Sequence, residues 1–530
     1  MYEKRRVFVV GDLQKIKTIV KHAANWVIRI MGSLILLILV RYALTGTQYM
    51  LPVSGHEFPI EIRDSVFLNL ALVALVLLLC VGLNEAERKI SAAKSQFCEK
   101  IVVIAAMLWQ TIAGLCWVLA ADRQPTADQL HVYNAAVGFL EGGYGTLEAT
   151  QYSGMFPHQL GLAFVEELVF RILGNTDYHI MQVLFVLLNA GSVYFIYGIL
   201  KELSGRLSVV VTGTVLAGSC IASIFYSSWI YGEVPWVFFS LLTAWMVAKY
   251  SKKSKISTIV VAVVSMTIGT LMRKNMLILI VAFCLVGILW AFENKDKKIL
   301  IAVIVAFVLP QLCYQGIFMM YEMRSGIPHS DGVPTNAYIY IGMEETEGRF
   351  GWDFSNSSAQ YYANDADTEK SNEIYGEMIR ERWQIMKASR GYLRGFYSGK
   401  ILSQWNEPLY QSLYFNFGHE ETHNAKLTAF EDRLKDDLFD RVLWFADRLQ
   451  FIIYAGCLLY FVFCVKKDSN FLQHLLAVAI IGGFLFSIIW EAKARYMYAY
   501  YMMMFPLAAL GYGELIRLAE KYCFFRKKKI

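Results

Sequence analysis

The sequence predicts an all-α polytopic membrane protein of about twelve transmembrane helices, with surface helices in its first external loop and a smaller, mainly helical extracytoplasmic domain. Three observations predict this. Of the 530 residues, 56% are hydrophobic and only 18% are charged, a composition outside the soluble globular class. Apolar runs long enough to cross a hydrocarbon core recur along most of the chain. Lys and Arg collect in alternate connections between those runs, as a membrane topology requires.

The predicted spans are 26–43, 66–83, 101–121, 180–200, 207–224, 234–248, 256–271, 276–290, 299–321, 445–465, 472–489 and 496–515. Two of them are short enough to border on re-entrant segments. Lys4, Arg5, Arg6, Lys15, Lys17 and Lys21 precede the first span. Arg88, Lys89, Lys249, Lys252, Lys253, Lys255, Lys295, Lys297, Lys298, Lys466 and Lys467 fall in later alternate loops, and Arg526 and Lys527 in the tail. With an even helix count both termini are expected to be cytoplasmic, in a cell membrane of bacterial plasma-membrane type. The modest net charge of +6 is then a topology signal and not a nucleic-acid footprint. Trp117, Trp229, Trp236, Trp444 and Trp490 are placed where an outer aromatic belt would lie. None of the nine cysteines falls in an external loop, so no disulfide framework is expected. No short apolar segment with a cleavage site precedes the first span, which is expected to be retained.

Four regions follow. They are 1–90, a cytoplasmic N-terminus with two added helices; 91–321, the membrane core with the first external loop 122–177; 322–444, the extracytoplasmic domain; and 445–530, three helices and a basic tail. In the first loop, Leu130, Tyr133, Ala136, Val137 and Leu140 form an apolar stripe at helical spacing, broken by Gly142-Gly143-Tyr144-Gly145. A second helix is predicted over 160–173. In the larger loop an amphipathic helix is predicted over 369–387, with Ile374, Met378, Trp383 and Met386 inward. A loop of this length favours a lid or binding role.

Charged groups at membrane depth demand a reason. Glu491-Ala492-Lys493-Ala494-Arg495-Tyr496 separates the last two spans; if it is helical, Glu491 and Arg495 share a face and pair, while Lys493 points elsewhere. The alternatives are a snorkelling turn and a site. Asp122 and Asp128 flank the start of the first-loop helix, where Thr126 or Asp128 is also a natural N-cap. Glu233 sits at the outer mouth of a span, where it suits a helix N-terminus with Pro235 as first helical residue. Arg273 and Lys274 fall on the side disfavoured for cations, and paired cations there suit a phosphate headgroup. His419-Glu420-Glu421-Thr422-His423 matches a zinc-protease pattern, with Glu431, Asp436 or Asp437 as third ligand, but lacks the apolar face that would bury such a helix.

Ala127-Asp128-Gln129, Tyr133-Asn134-Ala135-Ala136, Tyr152, Phe156-Pro157-His158-Gln159-Leu160-Gly161, Tyr231-Gly232-Glu233-Val234-Pro235 and the closing Arg495-Tyr496 resemble GT-C integral-membrane glycosyltransferases. The likeness is to the glycosyltransferase family 39 type, similar to protein O-mannosyltransferases and the lipid A aminoarabinose transferase, and it runs from about 101 to 515. The resemblance implies a polyprenyl-phosphate sugar donor, an extracytoplasmic glycan, lipid or protein acceptor, and an acidic catalytic residue in the first external loop, here Asp128. Gln129 stands where a second acid often follows. No cofactor is assigned, and a divalent metal is left open.

The constellation expected from these residues has Asp128 as base or acceptor-orienting group, with Asp122, His158 and Tyr152 in support. Arg273, Lys274 and Arg495 would bind the carrier phosphate, and Glu233, Glu491 and Tyr496 would position hydroxyls or cations. A flippase for a lipid-linked sugar is the competing class, and a metalloprotease through His419 and His423 the third.

Overall fold

A computed structural model describes residues 2–51, 57–346, 348–352, 358–417, 433 and 437–527. The chain is almost wholly helical, as the apolar runs predict. Helix α1 (Tyr2–Thr45) leads into a two-stranded antiparallel hairpin, β1 (Gly46–Met50) and β2 (Pro59–Arg63), with Gly46 opposite Arg63. Then come α2 (Val66–Lys89), α3 (Ala92–Ala121), α4 (Ala127–Glu141), α5 (Tyr152–Met155), α6 (Leu160–Leu173), α7 (His179–Leu203), α8 (Leu207–Gly218), α9 (Ile221–Phe225) and α10 (Glu233–Lys253). They are followed by α11 (Ile256–Met272), α12 (Leu277–Asn294), α13 (Lys297–Ser325) and α14 (Thr335–Ile341). The strands β3 (Glu345–Thr346) and β4 (Arg349–Phe350) precede α15 (Ala359–Ala363), α16 (Thr368–Ala388), α17 (Arg390–Trp405) and α18 (Ser412–Phe417). The chain closes with α19 (Asp437–Leu459), α20 (Leu475–Ile489) and α21 (Tyr498–Lys527).

Among the described residues nine helices are long and apolar enough to cross a membrane, and ten if the 43° bent pair formed by α8 and Ile221–Ser228 is one span. The expected twelve are all helices, but two fall short of the span test. Helix α10 carries Glu233, Lys249, Lys252 and Lys253 at its ends, which dilutes its hydropathy, and α11 has 17 residues. Helix α10 is shielded by protein, packing against α7, α11 and α21, whereas α11 turns Val260, Val261, Val264 and Ile268 outward and falls short on length. A buried helix does not need a lipid-facing composition.

Ion pairs show which helix ends share a face. Lys21 with Glu293 at 2.6 Å, His22 with Asp468 at 3.0 Å, Arg88 with Glu520 at 2.9 Å and Lys466 with Glu514 at 2.8 Å join the basic connections at one end of the bundle. The loop 122–177 and the described residues of 322–444 meet at the opposite end.

The two loop segments pack on each other and on the helices. Met155 of the first loop joins Val333, Ala337, Tyr361 and Tyr375 of the second in a small core. Helix α16 turns Tyr375 and Met386 inward, with Ile374 and Met378 half-buried. Trp383, expected inward, is 42% exposed. It lies one residue past the 375–379–382–386 stripe, and each residue turns the helix by about 100°. The tryptophan belt also differs from expectation. Trp117, Trp229 and Trp236 are buried between helices, and Trp490 stacks on Tyr338 at 5.2 Å, so of the five only Trp444 is largely exposed.

Three polar anchors fix the loop end. Asn406 ties the hairpin to α17, accepting from Gln48 N at 3.1 Å and donating to Gly46 O at 2.8 Å. Arg448 of α19 then holds Asp64 and Asn69 at 2.9 and 2.6 Å. Buried Lys400 of α17 donates to the carbonyls of Gly342, Ile488 and Trp490, capping the last turn of α20.

Glu407, in the turn after α17, accepts from Gln411 N at 2.6 Å. Burial pushes its carboxyl up to about 8, against the pull of the turn amides. The folded chain therefore holds a proton that the unfolded chain releases in the usual carboxylate range, so this group's contribution falls as pH rises from that range toward about 8. Thermal unfolding between about pH 5 and 8 should show the wild type losing stability with rising pH, and Glu407→Gln should remove that part of the slope.

Candidate functional site

Where the two loops meet the helix ends, a cavity of about 480 Å³ opens. Its wall includes Asp128, Tyr152, His158, Arg273, Lys274, Glu491, Arg495 and Tyr496. Eight of the ten residues singled out in the sequence are thus brought together from five separate segments. The other two lie elsewhere. Glu233 is buried directly behind Arg273, pairing with it at 3.1 Å without hydrogen-bond alignment. Asp122 caps the end of α3 in the left-handed region and binds His179 Nε2 at 3.0 Å, while Asp177 takes the other ring nitrogen at 2.8 Å. It fastens α3 to the start of α7 and does not line the cavity.

Asp128 stands in the first turn of α4. Thr126 holds the N-cap position with no side-chain cap bond, and Ala127 is left-handed at φ 48, a strained conformation for a residue with a Cβ. Gln129, in the place of the second acid, is a strut. Its Oε1 accepts from Tyr178 at 2.6 Å and from Ile230 N at 3.0 Å, tying α4 to the segment that carries Tyr231.

The last junction is not helical over its acidic part. Trp490 and Lys493 are extended, and a 3-10 turn covers Ala494–Met497. Glu491 and Arg495 therefore do not pair. Arg495 reaches Asp128 at 3.2 Å, and Tyr496 OH accepts from Arg495 at 3.3 Å and donates to Glu491 at 3.2 Å. Arg495 also lies over the rings of Phe415, Tyr231 and Tyr496 at 4.9–5.1 Å, which offsets part of its desolvation. Its side chain is 6% exposed, whereas 40% of the Asp128 side chain is open to the cavity. Burial pushes the Asp128 carboxyl up, but Arg495, Lys493 and Arg273 outweigh it and hold the group below its usual range. Asp128 is therefore an ionised, reachable carboxylate at neutral pH.

Opposite it, α11 ends at Met272, Arg273 is extended and a 3-10 turn follows at Lys274–Met276. Arg273 donates to Tyr231 O at 3.1 Å. Lys274 lies over the Tyr314 ring at 5.5 Å and has no carboxylate within ion-pair reach among the described residues. Burial, with Lys274 and Arg273 adding to it, lowers His158 to about 3, so its imidazole is neutral here at physiological pH. Tyr152 and Gln159 both bond Tyr231 OH, at 2.8 and 2.9 Å, and His131 stacks on Tyr152 at 4.5 Å.

The structure adds wall residues that the sequence reading did not assign. Lys493 lines the cavity and pairs at 3.1 Å with Glu57, which comes from the N-terminal hairpin. Asp331, Thr335 and Tyr338 arrive from the larger loop. Lys493 sits inside the motif already singled out, whereas nothing around Glu57 in the sequence marks it. Among the described residues no group of three or more His, Cys, Asp or Glu side chains has the arrangement of a metal site. His419, His423 and Glu431 lie outside the described residues.

Gly232 sets the approach between these walls. At φ 100 it is left-handed, and a Cβ there would stand 2.5 Å from Met272 O, next to Arg273. Gly232→Ala should cost about 1–3 kcal/mol and displace the Arg273 segment. A lowered unfolding temperature together with weakened ligand binding would show this; an unchanged protein would contradict the packing described.

Residues 157–314, less than a third of the chain, match the family model described as dolichyl-phosphate-mannose-protein mannosyltransferase. The matched segment contains His158, Glu233, Arg273 and Lys274 and ends before Arg495. No curated protein matches the chain. The family match supports the likeness to GT-C-type membrane glycosyltransferases.

Proposed function

With the matched segment marking the chain as a membrane glycosyltransferase of the protein-mannosyltransferase type, we propose that it moves a sugar from a polyprenyl-phosphate carrier to an extracytoplasmic acceptor hydroxyl, with inversion. The observation that carries this is one cavity holding an ionised carboxylate, Asp128, and a cation, Lys274, that has no carboxylate partner among the described residues. Transfer from a phosphate carrier needs both.

In this scheme Lys274 holds the carrier phosphate, with Arg273, paired to Glu233, beside it as a donor of fixed direction. The acceptor hydroxyl donates a hydrogen bond to Asp128. Its oxygen forms a bond to the anomeric carbon as the bond from that carbon to the phosphate oxygen breaks. The bonding pair leaves with the phosphate, and Asp128 takes the hydroxyl proton. The low basicity of Asp128 implies that the proton moves late, once the attacking oxygen has become acidic through bond formation. Arg495 keeps Asp128 charged and oriented, and Tyr496 links that arginine to Glu491. His158, neutral in this site, can exchange hydrogen bonds with the sugar and adds no charge. The polyprenyl tail lies along the apolar helix surfaces, and both termini sit in the cytoplasm.

Purified protein supplied with a panel of labelled polyprenyl-phosphate sugars tests the scheme. Asp128→Asn should lower transfer by about 10²–10⁴-fold while carrier binding persists. Transfer at the wild-type rate by that variant would remove Asp128 from the chemistry. Lys274→Met should instead weaken carrier binding by about tenfold or more, the scale of a charge-assisted phosphate contact. Movement of the carrier across the bilayer with no sugar transfer would favour a flippase.

A further inference from the structure

We infer that Lys493, held in place by Glu57 of the N-terminal hairpin, is a specificity-determining contact for a hydroxyl of the carrier's sugar. The inference rests on the transferase assignment above and deepens it.

Charge pairing separates the four cations of the cavity wall. Arg495 is paired with Asp128 at 3.2 Å, Arg273 with Glu233 at 3.1 Å and Lys493 with Glu57 at 3.1 Å, which leaves Lys274 for an anion. A lysine neutralised by a buried carboxylate does not attract a phosphate strongly. It remains a directed N–H donor, which is what a neutral hydroxyl needs. Lys493 is near enough to Asp128 to help hold its charge, so it lies on the reacting side of the cavity. With the phosphate at Lys274 and the anomeric carbon beside Asp128, the rest of the sugar ring extends toward Lys493.

The wall behind Lys493 is closed and braced. The Glu57 side chain is 1% exposed and that of Lys493 12%. Gln411 donates to Glu57 Oε1 at 3.1 Å and its own Oε1 accepts from Arg495 N at 3.3 Å. The same side chain thus touches the Glu57 carboxylate and the backbone of the arginine that orients Asp128. The hairpin carrying Glu57 is fastened by Asp64 to Arg448 and by Asn406. An acceptor must therefore enter from the other side, and the braced wall suits the donor's sugar. Glu57 acts through Lys493 and is a positioning residue. The two helices before the likeness to known transferases begins would then complete the site rather than decorate it.

Affinities of the full-length protein in nanodiscs test this. The probes are bare undecaprenyl phosphate and undecaprenyl phosphates carrying mannose, glucose, galactose or arabinose, one at a time. The wild type should prefer at least one loaded carrier over the bare one by about tenfold, the worth of one charge-assisted hydrogen bond. Lys493→Met should bring that ratio close to one by weakening the loaded carriers more than the bare one. Glu57→Gln should move the ratio the same way by less, with Glu57→Asp restoring part of it. A brace with no part in sugar recognition would lower the unfolding temperature and leave the ratio intact, which overturns the inference, as does a wild type with no preference among the carriers it binds. If Glu57→Gln does not fold, Lys493→Met decides alone. A wild type that binds none of the carriers, bare included, overturns the transferase assignment itself.

Discussion

Cations at the end of a membrane helix bundle cannot stay desolvated without a partner, and the loop end of this protein is organised around that constraint. Arg495, Arg273 and Lys493 each meet a carboxylate from another segment: Asp128, Glu233 and Glu57. Each pair also joins two segments of chain. Asp128 with Arg495 joins the first loop to the last junction, Glu233 with Arg273 joins the starts and ends of neighbouring helices, and Glu57 with Lys493 joins the hairpin to the site. Breaking one partner of such a pair leaves a buried charge, so the pairs hold geometry more than they add net stability.

From that constraint the wall of the cavity takes its character. Three cations meet carboxylates and act as donors of fixed direction, while Lys274 meets no carboxylate among the described residues. Asp128, one of the carboxylates that face the open space, is held ionised by the cations around it. Aromatic rings line the rest: Trp229 stacks on Phe415 at 4.4 Å, and Tyr338 on Trp490 at 5.2 Å. Such faces suit the apolar side of a sugar ring as well as a cation. Lys400 holds the carbonyls of Ile488 and Trp490, and so fixes the chain immediately before Glu491.

The helices are legible in the sequence because a membrane span must be apolar along its whole length, and α4 because its apolar stripe has helical period. The span count is less legible. A helix surrounded by other helices, such as α10, is free to carry charge, and α8 and α9 share one apolar run that bends at Ser219 and Cys220. Of the site, Asp128, Arg273, Lys274 and Arg495 stand out because charge at membrane depth is costly. The pairing of those charges does not show in the sequence, since it joins separate segments, 40 positions apart for Glu233 and Arg273 and 367 for Asp128 and Arg495. Glu491 and Arg495 have the spacing of a helical pair, yet the backbone between them is extended. Asp122 has the look of a site residue and is a structural cap, and Glu57 follows the first span with no pattern to mark it.

In the proposed scheme charge pairing decides where the carrier phosphate binds. A structure of the protein in nanodiscs with undecaprenyl phosphate would show the phosphate's contacts. The predicted result places the phosphate within hydrogen-bond distance of Lys274 Nζ, with the Asp128–Arg495 and Glu57–Lys493 pairs still closed. A phosphate seated on Lys493, or one that separates Arg495 from Asp128, would contradict the account.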